Sequence, residues 1–248
     1  MMNKWFNRLE YGKWLVNTEQ LRYSDNDVYM MAGYLIWGEC LTADEAWDII
    51  SGKLQAVYTL PTLMGRQKRF SAAMTRAMEK EYTDISPIQI RQKEIDTIAT
   101  ISSATQRRVL FTLLCFAKYN TMMNPENNGW VNFNDTMIKR SSGIYMSTIE
   151  YNEILFRLKE QGMIINSRKV TSNNMQVPWI ANDGEIVYEL ADLRGLGDVY
   201  VYHWGQYLPS ENNHRVFKGI LKYCCKCGAP FLDKSSHHNR MICSQCKP

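Results

Sequence analysis

Apolar positions along the chain recur at either helical or strand spacing, and the alternation of these two periods divides the sequence into segments. Leu21 to Trp37 and Thr42 to Leu54 carry apolar residues at helical spacing. Thr42 with Glu45 three residues on forms a capping box, which predicts a helix start there and a stop near Gly52. Arg66 to Lys80, RQKRFSAAMTRAMEK, predicts a further helix with five basic residues and one acid. Residues 1–80 therefore read as a helical domain. The polar stretch 81–102, which contains Pro87, reads as a linker.

The clearest helical period follows. Thr105 to Lys118 sets Val109, Leu110, Leu113, Leu114 and Ala117 on one face. Asn124 to Gly129 is rich in turn formers, and Trp130 to Phe133 is short and extended. Asn134 to Gly143 predicts a two-turn helix ended by glycine. Ser147 caps a longer helix to Gln161, with Tyr151, Ile154, Leu155 and Leu158 facing inward and Gly162 as its stop. Met163 to Val170 reads as a strand, Thr171 to Met175 as a polar tip, and Val177 to Leu190 as extended chain. Tyr200 to Tyr207, YVYHWGQY, reads as a strand or an aromatic surface, and such density is more often core than a platform for bases.

The phrase FRLKEQGMI, Phe156 to Ile164, is similar to the end of the third helix in winged-helix proteins. The order helix, strand, helix, helix, strand, tip, strand over 103–190 also resembles that family. The resemblance implies a third helix lying in a major groove. Its outward positions here include Glu150, Asn152, Glu153 and Arg157, and two acids on that face repel phosphate. The wing offers Arg168 and Lys169, the second helix Lys139 and Arg140, and the N-terminal domain Arg66, Lys68 and Arg69. A solvated helix face is the commoner meaning of such a run as 66–80.

The candidate chemistry lies at the C-terminal end. Cys224-x-x-Cys227 and Cys243-x-x-Cys246, fifteen residues apart, have the spacing of a four-cysteine zinc site. Two residues between cysteines let both sulfurs reach one ion at about 2.3 Å. Only Cys224 keeps that interval to Cys227, so Cys225 is the bystander, and His237 and His238 lie between the pairs as weaker candidates. The segment from Tyr223 to Lys247 resembles the zinc ribbon family. With two residues after Cys246, a third ribbon strand has to come from upstream, from Val216 to Tyr223. Four thiolates close the coordination shell, so one structural Zn2+ is expected and not a catalytic one.

Charge sharpens the picture. The formal charge is +4, but residues 214–248 hold seven basic side chains against one acid, +6, and the first 213 residues sum to −2. A zinc tetrathiolate of about −2 leaves the ribbon positive. No phosphate loop, no G-x-S-x-G and no H-E-x-x-H occurs, and His203 and His214 stand isolated, so no enzyme is expected. The N-terminal residues break every apolar stretch with charges or amides, and the longest apolar run, Val28 to Trp37, is about half a membrane span. A cytoplasmic protein is expected, with no membrane or small-molecule ligand.

The fold expectation is α+β, mostly α: a helical domain (1–80), a linker (81–102), a winged helix-turn-helix domain (103–190), a connecting segment (191–213) and a zinc ribbon (214–248). This architecture resembles DNA-associated proteins of phages, plasmids and other mobile elements. Binding of nucleic acid through Lys222, Lys226, Lys234 and Arg240 of the ribbon, with duplex DNA favoured, is the first expectation. The alternative is a subunit of a replication, transcription or plasmid-borne RNA-guided CRISPR-type complex that acts through protein contacts, or a phage-type inhibitor of such a machine.

Overall fold

The computed structural model describes residues 6–79, 85–167, 174–205, 219–235, 239–243 and 246. The chain is α+β and mostly helical, and it divides into two units, Met1–Ser86 and Pro87–Pro248. Among the described residues no helix is long and apolar enough to cross a membrane.

The first unit holds α1 (Arg8–Asn17), α2 (Asp25–Gly33), α3 (Ala43–Val57) and α4 (Leu60–Glu79), with α2 running on into a π turn over Tyr34–Gly38. Ser24 with Asp27 and Thr42 with Glu45 close capping boxes at the starts of α2 and α3. Leu15, Val28, Met31, Ile50, Leu54 and Phe70 form the core. The helices approach closely where side chains are absent: a Cβ on Gly12 would stand 2.4 Å from the Met30 carbonyl oxygen. Gly52 does not end α3, which continues to Val57. Ile50 and Leu54 on either side of it are buried, and their burial outweighs the roughly 1 kcal/mol that a mid-helix glycine costs.

The second unit is built on α6 (Ala104–Met123), which is buried on every side from Val109 to Tyr119. Of the stretch read as a linker, the described residues 85–102 hold β1 (Ile88–Arg91) and α5 (Gln92–Ala99). Ile88 and Ile90 alternate into the core, and Ile95, Ile98 and Ile101 follow at helical spacing. Glu94 of α5 is fully buried; its carboxylate accepts from Lys118 of α6 at 2.6 Å and from the backbone amides of Arg91 at 2.9 Å and Ala181 at 3.0 Å. A buried charge with three donors ties the segment into the domain.

After α6 come β2 (Trp130–Val131), α7 (Asp135–Ser141), α8 (Thr148–Glu160), β3 (Ile165–Asn166) and β4 (Met175–Gln176), with the sheet ordered β2, β4, β3, all antiparallel. Asn134 caps α7, and Ser147 with Glu150 closes a capping box on α8. Gly143 and Gly162 hold positive φ values of 65° and 71° at the two helix ends, conformations that disfavour a side chain. Tyr151 and Leu158 are buried as expected, whereas Ile154 and Leu155 are half-buried.

The stretch 177–190 is a strand only over β5 (Ile186–Leu190), which pairs with β1 and not with the three-stranded sheet. Of the segment read as connecting chain, Leu196–Trp204 form a helix, so Tyr200 is not on a strand. The helix α9 (Leu196–Trp204) packs Tyr200 and Trp204 against Phe111 of α6, with ring centres 5.2 and 5.3 Å apart. His203, half-buried, sits 4.4 Å from the Tyr188 ring, and partial burial lowers its pKa. The last elements are β6 (Ile220–Tyr223) and β7 (Pro230–Asp233), an antiparallel pair.

Candidate metal centre

Hairpin geometry prepares the site. β6 runs into Cys224, whose amide donates to the Ala229 carbonyl at 2.9 Å, while the Gly228 amide returns to the Cys224 carbonyl at 2.7 Å. That ring of bonds folds Cys224 to Gly228 into a knuckle, and Gly228 takes φ of 72°. The amide of Cys225 donates to the Met241 carbonyl at 2.9 Å, which carries the second cysteine pair alongside the first.

The ligand atoms of Cys224, Cys227, Cys243 and Cys246 all lie within 4.8 Å of one another. Cys227 Sγ and Cys243 Sγ are 3.7 Å apart. Two sulfurs each about 2.3 Å from a tetrahedral zinc ion would stand about 3.8 Å apart, so the donor set fits that ion. Cys225 is exposed and outside the cluster. His237 and His238 lie outside the described residues. Burial works against ionisation of Cys224, but the backbone amides of Cys243, Cys227 and Lys226 outweigh it and hold the thiol at about 6. Burial and contact with the neighbouring sulfurs push Cys246 up. Cys224 is thus poised as a thiolate unaided, whereas Cys227, pushed up by burial, and Cys246 would be helped to ionise by a bound cation.

Lys222 and Asp233, on facing strands, form an ion pair of 3.1 Å with the carboxylate fully buried. Asp233 also accepts from Ser235 Oγ at 2.6 Å, from the Ser235 amide at 3.0 Å and from the Arg240 amide at 3.1 Å, and these donors hold its pKa well below the usual carboxylate range. Arg240 lies 5.2 Å over the Phe231 ring and donates to the Ile242 carbonyl at 2.8 Å. Lys222 and Arg240 are therefore parts of the ribbon's own framework, while Lys226 and Lys234 are exposed.

The ribbon is fastened to α9. A Cβ on Gly195 would stand 2.0 Å from the Pro230 carbonyl oxygen, and Asp198 Oδ2 accepts the Leu232 amide at 3.2 Å. The other Asp198 oxygen accepts from Arg108 at 3.2 Å, and Arg108 donates in turn to the Gly143 carbonyl at 3.1 Å. Arg194 Nη1 donates to the Cys227 carbonyl, while its guanidinium grips Asp192 through Nε and Nη2 at 2.9 and 2.6 Å. Neither Arg194 nor Asp198 was visible as a site residue in the sequence, because their partners lie more than thirty positions away.

Between the α7–α8 turn, α9 and the ribbon lies a cleft of about 510 Å³, lined by Lys139, Arg140, Tyr145, Asp198, Phe231 and Cys243 among others. It brings the two α7 cations to the ribbon. Arg168 and Lys169 lie outside the described residues. In the first unit Arg66 is engaged, over the Tyr58 ring at 5.1 Å, and Lys68 and Arg69 are exposed on α4. Compared with family models, curated proteins and solved structures, the chain matches none.

Proposed function

We propose that the chain is a non-enzymatic nucleic-acid-binding protein in which one structural zinc ion, held by Cys224, Cys227, Cys243 and Cys246, closes a basic ribbon. The observation that carries this reading is the shared cleft, where Lys139 and Arg140 of α7 face the metal-bearing ribbon. Four thiolates leave no coordination position for water, which fits a zinc that shapes the chain and does not catalyse. The path from α6 to β4, with its sheet order β2, β4, β3, fits a winged helix. Phosphate attraction comes from Lys139, Arg140, Lys226 and Lys234.

One observation favours a second reading, a subunit that acts through protein contacts. The outermost stripe of α8 is Ile149, Glu153, Phe156 and Glu160, with Ile149 72% and Phe156 62% exposed. Apolar and acidic side chains on a helix in the reading position suit a protein surface better than a phosphate-lined groove.

Salt dependence separates the two. Each lost phosphate contact lowers the salt slope of binding by about one, so Lys139, Arg140, Lys226 and Lys234 together replaced by glutamine should lower it by up to about four. If the variant binds as the parent does, or the parent binds neither duplex nor single strands at low salt, the subunit reading is the better one.

A further inference from the structure

We infer that the ribbon is a metal-dependent clamp: with its ion bound, it holds the turn that starts α8, through Asp198 of α9 and Arg108 of α6. This rests on the four-cysteine zinc reading above and adds a regulation to it, in which metal occupancy sets how firmly α8 is placed.

The ribbon has little to fold around besides an ion. Among the described residues its buried cluster is Cys224, Phe231 and Cys243, with Cys227, Ile242 and Cys246 packed against it, so four of these six are candidate ligands. The sheet of β6 and β7 has no third strand among the described residues, and an isolated two-stranded hairpin is marginal in water. A core this small does not order a chain alone, and in such modules binding of the metal is itself the folding step. The ribbon is therefore a two-state element, and loss of the ion releases whatever it touches.

What it touches is the start of α9. Gly195, at φ of 62°, lets the Pro230 carbonyl lie against the helix backbone, and Asp198 Oδ2 accepts the Leu232 amide at 3.2 Å. From the same helical turn, contacts run the other way. A Cβ on Gly197 would stand 1.7 Å from the Ser142 carbonyl oxygen, so α9 and the end of α7 meet backbone to backbone. Arg108 bridges Asp198 Oδ1 at 3.2 Å and the Gly143 carbonyl at 3.1 Å. Asp198 thus has one oxygen on the ribbon and the other on the bridge to the turn. The Arg108 and Asp198 side chains are 18% and 24% exposed with the ribbon in place. Once the ribbon leaves, water reaches the pair, and an ion pair open to water holds little. Gly143 then loses the donor that fixes it, four residues before the Ser147 cap of α8.

Hydrogen exchange on the full chain tests this, first loaded with zinc and then after chelation in the presence of a thiol reductant. Chelation should quicken exchange over 220–233 and also over 142–151, while α6 from 109 to 119 and the first-unit helix α3 keep their rates. Coupling between two sites is reciprocal, so changes at the turn should reach the metal. Arg108→Met removes the bridge, whose bonds go to Asp198 and Gly143, and Gly197→Ala drives the Ser142 carbonyl off α9. Each should weaken zinc by about 5- to 150-fold, the ordinary range of such coupling, in competition with a chromophoric chelator. Parental exchange in α6 shows that a variant is folded, and the two states of the parent decide the matter if a variant is not. If chelation quickens the ribbon alone, if it quickens α6 as much as the turn, or if both folded variants hold zinc as the parent does, the clamp is refuted while the metal centre stands. If the parent binds no zinc, both fall.

Discussion

The guanidinium of Arg194 reaches from the turn before α9 to the backbone of the metal knuckle, where Nη1 donates to the carbonyl oxygen of Cys227. Burial opposes its charge, but the Asp192 carboxylate and the Cys227 and Cys243 sulfurs keep it protonated, above the ordinary arginine value. One cation thus faces the cysteine cluster and fixes the backbone of one candidate ligand, outside the shell that the four sulfurs would form around an ion. Outer contacts of this kind orient metal ligands and are typically worth about 10–100-fold in affinity.

Arg194→Gln should accordingly keep a single zinc but hold it about 10–100-fold more weakly. Competition with a chromophoric chelator measures this. Unchanged affinity would make the Arg194 bond incidental to the metal site.

Asp198 links the ribbon to the α7–α8 turn, one oxygen on the Leu232 amide and the other on Arg108. Its side chain is 24% exposed and that of Arg108 18%. Asp198→Ala should cost about 1.5–3 kcal/mol, as expected for charge-assisted hydrogen bonds. Hydrogen exchange should quicken in two places at once, around residues 142–146 and around 230–233. Faster exchange in the ribbon alone would show that the turn does not depend on this link.

Glu94 and Lys118 make the buried ion pair that joins α5 to α6, with the carboxylate fully buried. Glu94→Ala leaves the Lys118 ammonium without its partner in the interior and should destabilise the second unit by about 3–5 kcal/mol in urea unfolding. The double change Glu94→Leu, Lys118→Met should recover much of that loss, because both desolvation penalties disappear together. A double variant no better than Glu94→Ala would mean that the three hydrogen bonds to Glu94, and not its charge, hold the segment.

What the sequence showed and what it concealed follow one physical division. Thr42 with Glu45 and Ser147 with Glu150 act within one helical turn, so the starts of α3 and α8 were legible. The four clustered cysteines were legible for the same reason, since two residues between cysteines let both sulfurs reach one point. β1 was not, because four residues behind Pro87 carry almost no periodic signal, and its partner β5 lies about a hundred positions on. α9 was hidden by its aromatic residues, which favour strands in isolation and here are helical because Tyr200 and Trp204 pack on Phe111. Charge alone did not show how Lys222 and Arg240 are engaged within the ribbon. Asp233 and Phe231, which engage them, face them only once the hairpin has formed.

The claim on which the ribbon, its charge and its seat on α9 all depend is that four cysteines enclose one zinc ion. Native mass spectrometry of the full chain, with elemental analysis beside it, tests that most directly. The account predicts one zinc per chain, lost in the Cys243→Ser, Cys246→Ser double variant and kept in Cys225→Ser, since Cys225 is exposed and outside the cluster. A chain purified without zinc that takes none up when it is supplied, or a double variant that keeps its full metal content, would contradict it.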